Sequence, residues 1–179
     1  MYLKKLYNKA IIIRYLKSTQ REGVDKIIEY MKKNDFFEVP SSKNRHHNWP
    51  GGLAQHSLGV LKKAIQKNNN ELPQDSIIIS ALLHDICKTR QFYFDKNGKI
   101  KTKKVKIPGH GYRSYRIIKD LGLKLTEDER LAIRWHMGNW PKPTDIEGRK
   151  DRQKAEKSLL WKLIYAADCS DAAHHKPKK

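Results

Sequence analysis

The chain has 179 residues with 38% hydrophobic content, which is enough for one compact domain with a real core. Lys and Arg number 38 against 19 Asp and Glu, so the formal net charge at pH 7 is +19. A surface this positive attracts polyanions such as nucleic acid, nucleotides or anionic lipid, although the same charge can serve solubility alone. The N-terminal apolar run of four residues is too short for a signal-peptide core or a membrane span.

Hydrophobic periodicity indicates helices along most of the chain. We expect them at residues 3–18, 23–33, 52–67, 110–121, 126–136 and 152–173, and in a central helix from Asp75 through Lys88. Asp75 or Ser76 should cap the central helix, and Thr126 with Glu129 should form a capping box. β-Branched and aromatic residues on both sides of Asn97-Gly98 predict a hairpin. The expected fold is all-α with an inserted β-hairpin near residues 91–107.

Cys87 and Cys169 both lie in apolar helical patterns rather than in a spaced framework. We therefore expect both to be buried packing residues in a reduced, cytoplasmic protein that does not enter a membrane.

Polar residues interrupt the apolar helices at several points. In SALLHDICK, His84 and Asp85 point about 100° apart on a helix, so both cannot follow the pattern that buries their apolar neighbours. An ionised carboxylate buried there costs several kcal/mol unless a cation or strong hydrogen bonds compensate it. Most single histidines bind nothing, but five segments here each offer a metal-type ligand. These ligands are His56, His84 with Asp85, His110, His136 and Asp168.

This ligand set indicates a catalytic type of metal centre. Imidazole and carboxylate without spaced thiolates suit Mn, Fe, Ni, Co, Zn or Mg and argue against a zinc finger.

The order His56, His84-Asp85, Asp168 resembles the H…HD…D signature of the HD-domain superfamily of metal-dependent phosphohydrolases, over about residues 45–173. HHNWPGGLAQHSLGV and the HD-x-x-K form ending at Lys88 resemble the branch that includes 3′-to-5′ exoribonucleases. The resemblance implies an HD-domain-like helical bundle, a single domain over residues 1–179, with the helices of residues 1–44 packing on a core of 45–179. Met137 stands where many relatives carry a second histidine. No separate nucleic-acid-binding domain is evident.

The resemblance also implies a centre with two divalent cations. Asp85 would bridge them, with His56, His84 and Asp168 on one cation and His110 and His136 on the other. Lys88 would neutralise charge on the phosphoryl oxygens. The alternative is that its positive charge only interacts favourably with the C-terminus of a helix.

Several further residues are candidates for substrate contact. Arg45, His46 and His47 could touch phosphates, or could belong to a solvated basic loop. The tryptophans could stack on a base, but core packing is the commoner role; they are Trp49, Trp135 and Trp140.

The expected activity is hydrolysis of a phosphate ester in a nucleotide, cyclic nucleotide or nucleic acid by metal-activated water. Two alternatives stay open: a di-iron oxygenase acting on an organophosphonate or cyclitol, and a nucleic-acid-binding module with a vestigial site. The ligand types alone do not separate the hydrolase from the oxygenase, and the sequence does not determine the oligomeric state.

Overall fold

The computed structural model describes residues 2–103, 109–138, 143 and 145–175. These residues form eight α-helices, a short 3₁₀ helix and one antiparallel hairpin, so the predicted all-α fold with an inserted hairpin is confirmed. The α-helices are α1 (Tyr2–Ser18), α2 (Val24–Lys33), α3 (Gly52–Lys67), α4 (Gln74–Leu83), α5 (His110–Asp120), α6 (Glu127–Trp135), α7 (Ile146–Lys157) and α8 (Leu159–His174). The 3₁₀ helix is Ile86–Arg90, and the strands are β1 (Phe92–Phe94) and β2 (Ile100–Thr102).

Helix α4 lies at the centre of the hydrophobic core. Every residue from Ser76 to Leu83 is buried, and α1, α3, α6 and α8 all contact this helix. A helix that is apolar on all sides is stable only when other elements surround it. The C-terminal end of α4 therefore delivers the residues that follow it, His84 and Asp85, into the interior. In the described part of the chain, no helix combines the length and apolar character needed to cross a bilayer.

Both predicted ends of the central helix are wrong. The helix begins after Pro73, and neither Asp75 nor Ser76 caps it, because the Ser76 hydroxyl instead donates to Glu129 at 2.8 Å. The helix ends at Leu83, and the chain continues as the separate 3₁₀ helix instead of running on through Lys88.

The predicted helix over residues 152–173 is also wrong, because two helices occupy this region. Ser158 adopts an extended conformation between α7 and α8, and its side chain accepts a hydrogen bond from the Trp161 N–H at 3.3 Å. Asp145 caps α7 in the same way, by accepting from the Gly148 N–H. Serine and aspartate at these positions satisfy backbone donors that would otherwise have no partner.

The hairpin pairs Phe92 with Thr102 and Phe94 with Ile100. Asn97 and Gly98 lie in its turn, as predicted, and Gly98 adopts a left-handed conformation with φ 72°. The turn is longer than a two-residue connection, because the Gly98 N–H donates to the Asp95 carbonyl and the Lys99 carbonyl accepts from the Asp95 N–H. Residues 104–108 of the predicted hairpin region lie outside the described residues.

The predicted capping box at the start of α6 is confirmed, and its glutamate has a second role. Glu129 is fully buried and also accepts hydrogen bonds from Arg21, at 2.9 and 3.2 Å, and from Ser76. These bonds join the turn after α1 to α4 and α6. Contacts of this kind agree with N-terminal helices packing on the rest of the chain, whereas the assignment of a single domain stays a prediction.

Candidate metal centre

All six predicted ligands converge at one place in the core. The structure brings together His56 from α3, His84 and Asp85 from the end of α4, His110 from the start of α5, His136 from the end of α6 and Asp168 from α8. His110 has a side chain that is 19% exposed, and the other five residues are buried. Five segments that are distant in sequence therefore contribute to one polar cluster inside the hydrophobic core.

The break after α4 explains how two neighbouring residues reach the same site. His84 still has helical backbone angles, but Asp85 leaves the helix with φ −110° and ψ 15°. The change turns the carboxylate towards the imidazole, so that Asp85 Oδ2 lies 3.3 Å from His84 Nε2. A continuous helix would have pointed the two side chains about 100° apart.

The two oxygens of Asp85 face two different sets of imidazoles. Oδ2 lies 3.3 Å from His84 Nε2 and 3.7 Å from His56 Nε2. Oδ1 lies 3.4 Å from His136 Nε2 and 3.6 Å from His110 Nε2. The carboxylate is thus placed between two groups of ligand atoms.

Three ligand atoms on the Oδ1 side are buried without compensation. Asp85 Oδ1, His110 Nε2 and His136 Nε2 have no hydrogen-bond partner within the described ranges. Metal–ligand distances of about 2.1 Å, at tetrahedral or octahedral angles, place ligand atoms about 3.0 to 3.4 Å apart, close to the separations seen here. The donor set therefore fits a divalent cation, which would satisfy atoms that are otherwise costly to bury.

Asp168 completes the ligand set on the other side. Its Oδ1 lies 3.1 Å from His56 Nε2 and 4.0 Å from His84 Nε2. His56 and His84 therefore form a group with Asp85 that could also hold a metal ion, and Asp168 belongs to a group with His84 and His136 that could do so as well.

Two of the histidines are oriented by the helices that they terminate. His84 Nδ1 lies 2.8 Å from the Ala81 carbonyl, and His136 Nδ1 lies 2.8 Å from the Ile133 carbonyl. A carbonyl can only accept a hydrogen bond, so each Nδ1 carries a proton, and in the neutral form of each ring the Nε2 lone pair points to the centre. The last carbonyls of a helix lack partners within the helix, so these bonds also satisfy two of them.

His56 is oriented by a carboxylate that the sequence analysis missed. Its Nδ1 lies 2.8 Å from Oδ2 of Asp171, which is itself buried. Asp171 follows Asp168 by three residues on α8, and that spacing on one helix face was the available signal. The approach is close: a Cβ on Gly59 would lie 2.1 Å from Asp171 Oδ1, so this glycine leaves room for the carboxylate. Such a carboxylate–histidine pair orients a metal-binding imidazole.

The charges of the centre favour a cation among its carboxylates. Burial opposes ionisation of Asp85, but the Lys88 ammonium holds the pKa of that carboxyl well below its usual range. Burial also disfavours a charged His56, yet hydrogen bonds to the two carboxylates of α8 raise its pKa to about 9, so a cation bound to this ring would displace a proton at pH 7. Burial lowers the pKa of His110 to about 3, so this ring is neutral at pH 7 and its lone pair is available.

The predicted substrate contacts differ in their placement. Lys88 Nζ lies 2.6 Å from Asp85 Oδ2 and so reaches the centre. The rings of His46 and His47 lie 4.7 and 5.3 Å from the His56 ring, centroid to centroid. Arg45 is exposed, and its side chain makes no ion pair with the described residues.

The tryptophans divide between core and surface. Trp135 is buried, and its indole N–H donates to Asp151 at 2.8 Å, which is the expected core role. Trp49 is half-buried and donates to Gln55 at 3.2 Å. Trp140 lies outside the described residues.

The prediction that both cysteines are buried is half right. Cys87 is buried, with its sulfur 3.2 Å from the His110 carbonyl oxygen. Cys169 is exposed, because it follows Asp168 and is therefore turned about 100° away from the centre. Both are free thiols.

Comparisons with known proteins agree with this arrangement. The dihydroneopterin 2′,3′-cyclic phosphate phosphodiesterase of Methanocaldococcus jannaschii is 37% identical over 68 residues, which cover 34% of this chain and 27% of that protein. The 3′-5′ exoribonuclease YhaM of Geobacillus sp. is 29% identical over 82 residues, covering 43% of this chain and 25% of that protein. The 3′-5′ exoribonuclease YhaM of Bacillus subtilis is 26% identical over 85 residues, which cover 45% of this chain and 27% of that protein.

The chain spans about a quarter of the length of these relatives. No solved structure matches it significantly. The HD domain family matches residues 53–173, a range that includes all six converging ligands and Asp171. The chain therefore belongs to the HD domain family.

Proposed function

We propose that the protein is a metal-dependent phosphohydrolase that cleaves a phosphate ester of a nucleotide or nucleic acid with metal-activated water. The observation that carries the proposal is the position of the Asp85 carboxylate, whose two oxygens face two separate sets of imidazoles. Relatives named as a phosphodiesterase and as exoribonucleases support hydrolysis. The di-iron oxygenase alternative uses the same ligand types but gains no support from these relatives.

In this proposal, His56, His84 and Asp168 hold one cation and His110 and His136 hold a second, with Asp85 shared between them. Divalent cations bound there would polarise a phosphate and supply hydroxide near neutral pH. The chain's own contribution is to fix the ligand positions through five packed segments and through the hydrogen bonds on the Nδ1 atoms. Mn, Fe, Ni, Co, Zn and Mg all suit such a set of nitrogen and oxygen ligands.

Lys88 is the cation that the chain itself contributes to this site. Its side chain is 11% exposed, so its ammonium group is held near Asp85 rather than free in solvent. In the proposed reaction it lies beside the phosphate and stabilises the negative charge that develops on the phosphoryl oxygens.

An anionic substrate suits the overall charge of +19, and we propose a nucleotide, cyclic nucleotide or short nucleic acid in a cytoplasmic setting. A hydrolysis screen with Mn²⁺ over these three substrate classes tests the activity. Asp85→Ala should abolish hydrolysis and release bound metal, because the shared carboxylate positions both cations. An Asp85→Ala protein that keeps its metal and its rate would refute the proposal.

The proposed second cation depends on His110 and His136. Replacement of either by Ala should lower the metal content from two ions per chain towards one, measured by elemental analysis after dialysis. His174→Ala is a matched control, because His174 is an exposed histidine on α8. An unchanged content of two ions in both variants would remove these histidines from the ligand set.

Lys88→Ala should keep the metal content and lower turnover by about 10- to 1000-fold, which corresponds to about 1.5 to 4 kcal/mol of transition-state stabilisation. Lys88→Arg retains the positive charge and should recover part of the rate. If Lys88→Ala kept both its metal and the parent rate, Lys88 would have no part in the reaction.

Asp171 should act on the metal only through His56. Asp171→Ala should weaken metal affinity by about 10- to 100-fold, whereas Asp171→Asn should have a smaller effect because its amide oxygen can still accept from His56 Nδ1. Asp25→Ala removes an exposed carboxylate on α2 and serves as the control. Metal titration measures the affinities, and equal affinities in all four proteins would show that Asp171 only fills space.

A further inference from the structure

A pocket of about 260 Å³ lies between the 3₁₀ helix and α5. Three arginines line it, Arg90 from the 3₁₀ helix and Arg113 and Arg116 from α5, together with the single carboxylate of Asp120. The lining therefore carries a net positive charge next to the apolar surface of Cys87 and Ile117. We propose that this pocket binds a phosphate group, separately from the candidate metal centre.

The three positive charges of these arginines exceed the single negative charge of Asp120 at the pocket. Across the described residues, none of the three forms an ion pair with a carboxylate within 4 Å, whereas buried or half-buried arginines elsewhere do, as Arg21 and Arg130 illustrate. The residues outside the described ranges, 1, 104–108, 139–142, 144 and 176–179, contain no Asp or Glu.

One arginine side chain at the pocket is also held in place by a hydrogen bond. The Arg113 Nη2 group donates to Gln91 Oε1 at 2.8 Å, which holds the guanidinium across the space between the two elements. The Arg113 Nε group is buried and has no partner among the described residues. The N–H groups of Arg113 that remain on Nη1 and Nη2 can donate charge-assisted hydrogen bonds to phosphate oxygens, and the bond to Gln91 lowers the entropy cost of holding them in place.

The pocket is close to the candidate metal centre. His110 is the first residue of α5, so Arg113 and Arg116 lie about 5 and 9 Å further along the helix axis. Cys87, which lines the pocket, has its sulfur 3.2 Å from the His110 carbonyl oxygen. The phosphate could therefore be a second phosphate group on a substrate held at the centre, or a free phosphate.

Equilibrium dialysis of inorganic phosphate against the purified full chain at constant ionic strength tests the binding. The double variant Arg113→Gln, Arg116→Gln should weaken phosphate binding at one site by at least about 10-fold, because it removes charge-assisted hydrogen bonds. The matched control is Arg14→Gln, Arg149→Gln, which removes the same charge from two exposed arginines and should stay within about twofold of the parent. Phosphate at the metal centre is common to all three proteins, so their difference isolates the pocket.

Arg116→Glu alone provides a variant with little risk to folding, because Arg116 is exposed and its one side-chain hydrogen bond in the described part of the chain is a 3.5 Å contact with Tyr112. It should also weaken binding by about 10-fold or more, since it reverses a charge at the pocket. Equal binding in the parent and both pocket variants would overturn the proposal. An equal loss of phosphate affinity in the pocket and control double variants would also overturn it, because phosphate would then be attracted only by the overall charge of the protein.

Kinetics on whichever phosphate ester the enzyme hydrolyses distinguish the two sources of phosphate. If the pocket holds a second phosphate of the substrate, the KM of the pocket double variant should rise about 10-fold for a substrate with two phosphates and not for one with a single phosphate. If it holds free phosphate, both KM values should be unchanged although phosphate binding is lost. The dialysis does not require catalysis. It would therefore still test phosphate binding at the pocket if the protein hydrolysed none of the proposed substrates.

Discussion

The buried carboxylate of Asp85 is the constraint on which the rest of the site depends. It is 1% exposed, and an ionised group in that position requires compensating charge or hydrogen bonds. Lys88 supplies one positive charge, but Oδ1 has no hydrogen-bond partner in the described part of the chain and faces two imidazole nitrogens. A cation between these atoms satisfies all of them, which is why we regard metal binding as part of the folded structure rather than an addition to it.

The same type of hydrogen bond orients candidate ligands at the ends of two different helices. α4 and α6 each end at a histidine whose Nδ1–H donates to the carbonyl three residues earlier. This bond fixes the tautomer and the ring direction, and it uses a carbonyl that the end of the helix leaves free. His56, the third buried imidazole among the candidate ligands, lies in the middle of α3, where the backbone carbonyls take part in the hydrogen bonds of the helix. A carboxylate from α8, Asp171, takes that role instead.

The sequence was sufficient to single out six candidate ligands, which the structure brings together, because most of them are polar residues in apolar segments. It also predicted most helices from their periodicity. The break after Leu83 could not be predicted, because the apolar pattern continues through Ile86 and Cys87, and only the tertiary arrangement shows that Asp85 must turn towards His84. The break at Ser158 was missed because a serine, with no proline or glycine beside it, separates α7 from α8.

Features that depend on two elements meeting in space were also out of reach. The spacing of Asp171 from Asp168 places it on the same face of α8, but only the packing of α3 against α8 shows that its carboxylate meets His56. The arginine pocket likewise exists only because the 3₁₀ helix and α5 lie side by side. Both elements adjoin ligands of the candidate centre, Asp85 and His110, so the pocket and the centre share one framework.

A crystal structure of the protein soaked with Mn²⁺ tests most directly whether Asp85 separates two metal positions, as we propose. Anomalous scattering collected at the manganese absorption edge should show two peaks, one beside Oδ2 among His56, His84 and Asp168, and one beside Oδ1 between His110 and His136. A single peak on either side would contradict the shared carboxylate, and no peak near Asp85 would contradict the metal centre altogether.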